Sequence, residues 1–276
     1  MLRALLLLSL SLVAAAQDNA AWKRPFPPHK IAGNIYYVGT EDLACYLLST
    51  PQGHILINTG LADSTPLIHG SISKLGFKLQ DIKIILNMQA HFDHVAAMQE
   101  IQNLSGAKVY ATGADAPSLE DGGKSDPAFG PKPQFAPVKV DRRLKDGDTV
   151  ALGGTELKVI LTPGHSRGSV SYSTTIVDNG RKLNVLFVNM NTVVMPLVGN
   201  AKYPRIAEDF TRSFEKQRQL SPDIWVAAHA SQYDMARKLK AGSFIDPEGY
   251  KKAIERHERM FYETLEKERS QKLRSE

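Results

Sequence analysis

The stretch Ile82-Lys83-Ile84-Ile85-Leu86-Asn87-Met88-Gln89-Ala90-His91-Phe92-Asp93-His94 decides the fold. Its first half is a short, nearly continuous apolar run rich in β-branched residues, which predicts a buried strand over Ile82–Asn87. Its second half sets three donors, His91, Asp93 and His94, within four residues just beyond that strand. Strand ends in α/β sheets project into a common crevice, and sites form there. Imidazole and carboxylate donors suit zinc, and a catalytic zinc keeps one coordination position open for water. In an irregular loop, donors this close together can feed two neighbouring ions.

Strands and helices alternate on either side. Upstream, Asn34–Val38, Ala44–Ser49 and His54–Asn58 read as strands, with a turn over 50–53. Ser64–Leu75 reads as a helix, with Leu67, Ile68, Ile72 and Leu75 at helical spacing and Gly76 as its stop. Downstream, Val95–Asn103 reads as a helix and Lys108–Ala111 as a strand. Residues 113–137 are rich in Gly, Pro and Asp and predict a long loop with one helical turn near Pro117, of a length met in lids and binding loops. The second half repeats the style, with strands over Thr149–Leu152, Thr155–Leu161, Ser169–Val177, Leu183–Val188 and Ile224–Ala227 and a helix over Glu208–Leu220. Asp246-Pro247 caps and opens a last helix. Its Tyr250, Ile254, Phe261 and Leu265 make one apolar stripe, fit to pack on its own domain or on a neighbour. Composition does not shift along the chain, so residues 17–276 read as a single α/β domain with an extended N-terminal arm over 17–30.

With 42% hydrophobic and 23% charged residues among 276, the chain has the balance of a globular protein, which excludes disorder. The single Cys45 excludes an intramolecular disulfide and a Cys-rich metal site. A net charge of +5 without a long Lys/Arg block argues against nucleic acid as a partner. Met1–Ala16 has one early positive charge, an apolar run and then small residues, the pattern of a secretory signal peptide cleaved after Ala16. The apolar run is about ten residues, against roughly twenty needed to span a bilayer. The expected location is therefore periplasmic, with no membrane attachment after cleavage.

The eight histidines divide evenly. His91, His94, His165 and His229 all follow predicted strands, whereas His29, His54, His69 and His257 lie on the arm, a turn or helices and read as surface or hydrogen-bonded residues. His91-x-Asp93-His94 followed by a helix, Thr162-Pro163-Gly164-His165-Ser166-x-Gly168-Ser169, and the late His229 together resemble the metallo-β-lactamase family, and most closely its subclass B3. The resemblance runs from Pro25-Phe26 and the segment 33–39 to His229, through Asp146-Gly147-Asp148 and Leu152-Gly153-Gly154. It implies an αββα sandwich, two mixed sheets flanked by helices, with two Zn2+ ions in a groove along one edge. Gln89, His91 and His165 would serve the first zinc, and Asp93, His94 and His229 the second.

Three positions depart from the usual family pattern. Gln89 stands where the motif begins with His, Asn58-Thr59-Gly60 replaces Asp-x-Gly, and Met190 lies near a position where B3 enzymes carry serine. All three are similar to the Gln-bearing, GOB-like branch. A neutral amide is a weaker donor than imidazole, so the first site is expected to bind less tightly or to be partly occupied.

The implied function is a secreted zinc β-lactamase that hydrolyses the amide of penicillins, cephalosporins and carbapenems by a metal-bound hydroxide and so confers antibiotic resistance. Asp93 and His229 would be catalytic, with Thr192 and Met190 lining the substrate, a small-molecule β-lactam. Two alternatives stay open: another hydrolase of this fold acting on a lactone or thioester, and a non-catalytic periplasmic zinc-binding protein. Residues 182–207 contain no Asp or Glu, which weighs against relatives that bridge their metals with an Asp from that region.

Overall fold

Side-chain alternation along the central strands explains how two sheets come to face each other. The computed structural model describes residues 19–275, so the leader expected over 1–16 lies outside the described residues. In the first sheet β1 (His29–Ala32), β2 (Ile35–Tyr37), β3 (Tyr46–Thr50) and β4 (Gly53–Ile57) are antiparallel neighbours. The same sheet continues in parallel through β5 (Ile82–Leu86), β6 (Lys108–Thr112) and β7 (Arg142–Leu144). The second sheet joins β8 (Thr149–Leu152), β9 (Thr155–Leu161), β10 (Val170–Asp178) and β11 (Arg181–Val188) antiparallel, with β12 (Ile224–Ala227) parallel to β11. Within β4, Ile55 and Ile57 join a core shared with Val159, Tyr172 and Phe187 of the second sheet. Leu56 between them joins a separate core on the opposite face, with Ile68, Ile72 and Ile101. Tyr46 meets Phe187 across the sheets, ring centroids 5.2 Å apart, and its hydroxyl donates to Ala227 O at 2.5 Å.

The helices cover the outer faces. In chain order they are α1 (Ala20–Lys23), α2 (Thr65–Lys74), α3 (Phe92–Val95), α4 (Met98–Ser105), α5 (Ala116–Glu120), α6 (Ile206–Arg218), α7 (Met235–Ala241) and α8 (Pro247–Leu273). The residues Ile68 and Ile72 of α2 and Met98 and Ile101 of α4 bury against the first sheet. On the other side, Phe210 and Phe214 of α6 meet Phe261 of α8 at 5.1 and 5.8 Å. The order of layers is helix, sheet, sheet, helix, as the resemblance implies. No helix of the described residues is long and apolar enough to cross a membrane.

Most elements lie within a residue or two of their expected bounds, and the exceptions have local causes. The helix expected over Val95–Asn103 is two pieces, α3 and α4. Between them the backbone braces a turn instead: Thr59 N and Oγ1 donate to His94 O at 2.7 and 3.2 Å, and Ala96 N donates to Gly60 O at 3.0 Å. The arm read as extended contains α1, capped by Asn19 Oδ1 accepting from Ala21 N, and then β1. β7, only Arg142-Arg143-Leu144, is too short to show a period, and α7 is only seven residues long, with no side-chain cap hydrogen bond from Asp234.

Candidate metal centre

Three strand ends deliver the donors. The loop after β5 carries Gln89 to His94, the loop after β9 carries His165, and His229 stands two residues beyond β12. Asn58, in the left-handed region at φ +63°, lies behind the first loop. Asn is among the few residues that tolerate that region. Its Oδ1 accepts from Met88 N (3.0 Å) and its Nδ2 donates to Ala44 O (3.3 Å), a bond a carboxylate could not make. Asp115 ties the first loop to the second. It accepts from Ala90 N at 2.9 Å, Gly168 N at 2.8 Å and the Ser166 hydroxyl at 3.0 Å. Burial pushes its carboxyl up to about 6, against the pull of those donors.

Asp93, His94 and His229 converge, with one donor atom from each lying within 4.8 Å of the others. Asp93 Oδ2 is 3.1 Å from His94 Nε2 and 3.4 Å from His229 Nε2. On its far side, His229 Nδ1 donates to Asp42 Oδ2 at 3.0 Å, which fixes the tautomer and leaves Nε2 turned inward. The same oxygen accepts from Trp22 Nε1 at 3.1 Å, and Asp42 Oδ1 accepts from Ser231 N at 2.9 Å. Burial alone would raise the Asp93 carboxyl, but the His94 charge and the His229 bond hold it well below the usual carboxylate range. Burial likewise works against charge on His229, yet its bonds to Asp42 and Asp93 raise it to about 9 in the metal-free molecule.

The other donors gather beside this group. The His91 and His165 rings lie 4.7 Å apart, centroid to centroid. His165 Nδ1 donates to Thr192 O at 2.8 Å, with Thr192 Oγ1 2.9 Å from the same nitrogen, so Nε2 is the free face. Burial, helped by the His91 charge, lowers His165 to about 3, so it is neutral and ligand-ready at pH 7. Gln89 is buried two residues before His91, and its amide makes no hydrogen bond among the described residues.

The two residues expected to line the substrate make contacts of their own. Met190 is 1% exposed and packs in the core, so its side chain has no surface to offer a ligand. Thr192 Oγ1 lies 2.9 Å from His165 Nδ1, beside the carbonyl that accepts from the same nitrogen. Sequence reading missed Asp42, Asp115 and Trp22, whose roles come from backbone and side-chain contacts distant in sequence. The histidines set aside stay outside the cluster: His54 packs on Phe77, His257 Nδ1 donates to Ala253 O, and His29 stacks between Tyr37 and Phe244.

The donor set fits zinc. His94 is fully buried, its Nδ1 has no hydrogen-bond partner and its Nε2 meets only the Asp93 carboxylate at 3.1 Å among the described residues, an arrangement that an ion between Nε2 and that carboxylate would satisfy. Each of His165 and His229 has its outer nitrogen committed to a hydrogen bond and its inner one turned toward the other donors, that of His229 lying 3.4 Å from Asp93 Oδ2.

Residues 39–178 match the profile described as the Metallo-beta-lactamase superfamily. The class B3 di-zinc metallo-beta-lactamase LRA-12 from an Alaskan soil metagenome is 44% identical, with a TM-score of 0.87 over 90% of this chain and 97% of its own. The metallo-beta-lactamase GOB-18 from Elizabethkingia meningoseptica is 41% identical, with a TM-score of 0.87 over 90% of this chain and 95% of its own. Native FEZ-1 from Legionella gormanii is 41% identical, with a TM-score of 0.85 over 89% and 98%. The chain belongs to the metallo-beta-lactamase superfamily, and within it to class B3. Among curated relatives, the hydroxyacylglutathione hydrolase of Fuscovulum blasticum is 30% identical over 110 residues, so the chain spans about a third of that relative's length.

Proposed function

We propose that this protein is an exported zinc β-lactamase that opens the strained amide of penicillins, cephalosporins and carbapenems and protects its host against them. Asp93, His94 and His229 would hold one zinc, and Gln89, His91 and His165 the other. The observation that carries the reading is the set of imidazoles from three strand ends, each of His165 and His229 hydrogen-bonded on its outer nitrogen and turning its inner one toward the other donors. Its likeness to a di-zinc class B3 enzyme over nearly that enzyme's whole length supports the same conclusion.

Zinc, when bound, supplies a Lewis acid and lowers the pKa of bound water to about 7. The chain's residues do the rest. Asp42 and the Thr192 carbonyl hold His229 and His165 in the ligating tautomer, so no reorganisation is needed during turnover. Asp93, ionised even though buried, places a carboxylate oxygen between His94 and His229 and orients the attack. Asp115 keeps the two loops in register.

The test is hydrolysis of a chromogenic cephalosporin and a carbapenem, with S-lactoylglutathione as a thioester comparison, before and after chelation. Cleavage of both drugs that is lost with chelator and restored by zinc is expected, as is loss of turnover in His229→Ala. Zinc-loaded protein that cleaves only the thioester, or nothing, would overturn the reading.

A further inference from the structure

Asp126 lies in the long Gly- and Pro-rich loop and has no part in the assignment above. It is buried, as is His91, and its Oδ2 is 3.4 Å from His91 Nε2. That nitrogen is buried and makes no shorter polar contact among the described residues. The carboxylate is itself held in place: Oδ1 accepts from Ala128 N at 2.7 Å and Phe129 N at 2.8 Å, closing a turn that points Oδ2 at the imidazole. The Phe129 ring stands edge-on to His91 at 4.9 Å and to Phe92 at 5.7 Å, so the same turn packs against the ring it addresses. His91 thus faces a buried acceptor on this side, at 3.4 Å, a longer contact than the 3.0 Å bond from His229 to Asp42 or the 2.8 Å bond from His165 to the Thr192 carbonyl.

We propose that Asp126 is a positioning residue for the first zinc site: it holds His91 as the Nε2–H tautomer, so that Nδ1 carries the lone pair offered to the ion. A carboxylate only accepts, so the nitrogen facing it must bear the proton. The proposal rests on the zinc reading above. It has special weight here because Gln89 contributes a neutral, weak donor, so the orientation and basicity of His91 determine more of the affinity of that site. It also makes the loop over 121–130 part of the metal centre rather than a cover over it.

Asp126→Asn is the informative variant. The Asn Oδ1 can keep both turn N–H groups, while the Nδ2 donor then faces His91 and favours the opposite tautomer, with the proton on Nδ1. Chelator-competition titration should show first-site zinc affinity falling 10- to 100-fold, with the second site and the melting temperature of the zinc-free protein little changed. Unchanged first-site affinity would overturn the proposal. Independently of any variant, two-bond 1H–15N spectra of the zinc-free wild-type protein, taken at a pH where the His91 ring is neutral, should show its proton on Nε2, and a neutral ring protonated on Nδ1 alone would equally overturn it. Should the wild type bind only one zinc, at Asp93, His94 and His229, the two-zinc reading fails while the tautomer spectrum still decides the role of Asp126.

Discussion

His229 illustrates how strongly two flanking carboxylates control a single imidazole. Its imidazolium is stabilised by Asp42 and Asp93 in the metal-free molecule, which raises it from 6.5 to about 9. A base raised in the folded state contributes stability that is full below 6.5 and is lost as pH rises through about 9. The melting temperature of zinc-free protein should therefore fall across that interval, and Asp42→Asn should flatten the fall. A flat wild-type profile would refute it. Zinc competes with the same proton, so second-site affinity should climb over the same range. Gln89 carries the second prediction at this scale. Replacing its neutral amide by imidazole, Gln89→His, should raise the zinc retained after dialysis, read by elemental analysis. His91, Asp93, His94, His165 and His229 were legible as donors because each follows an apolar strand. Asp42 was not, because an Asp in Gly39-Thr40-Glu41-Asp42 reads as turn chemistry until the loop is seen bridged to the His229 segment at Leu43.

At the scale of elements, α8 is the clearest agreement between pattern and structure. Asp246 Oδ1 accepts from Gly249 N at 3.1 Å, Pro247 opens the helix, and Tyr250, Ile254, Phe261 and Leu265 are all buried. The structure adds what the pattern lacked. Asp246 Oδ2 also lies 3.2 Å from the Nζ of buried Lys238, which sits 4.2 Å over the Trp225 ring and is lowered by burial to about 8. Asp246→Ala should thus remove a cap and strand a buried cation together, costing about 3 kcal/mol in urea unfolding. A loss near 1 kcal/mol would mean that the cap alone matters. The division of α3 from α4 shows the reverse case. Val95–Asn103 has helical periodicity, but at Ala96 the chain bonds Gly60 across the fold, a preference that no local pattern encodes.

The whole molecule sets the site at one edge of two sheets. Phe261, pinned between Phe210 and Phe214, anchors α8 far along the chain from every donor. Phe261→Ala should cost about 3–5 kcal/mol in stability while zinc stoichiometry of the folded protein is retained, and a parallel loss of zinc would show that the helix layer also shapes the site. Sequence by itself determined most of the strands and the donor types, because hydrophobic period and residue chemistry are local properties, while the layer order followed from the resemblance of its motifs to a known family. Only the tertiary structure decided which nitrogen of His165 and His229 turns toward the other donors. It alone revealed that Asp42 and Asp115 hold the loops, and that Met190 belongs to the core. Those facts depend on groups brought together across the two sheets, and a hydrogen bond between distant residues leaves no periodic trace in the chain.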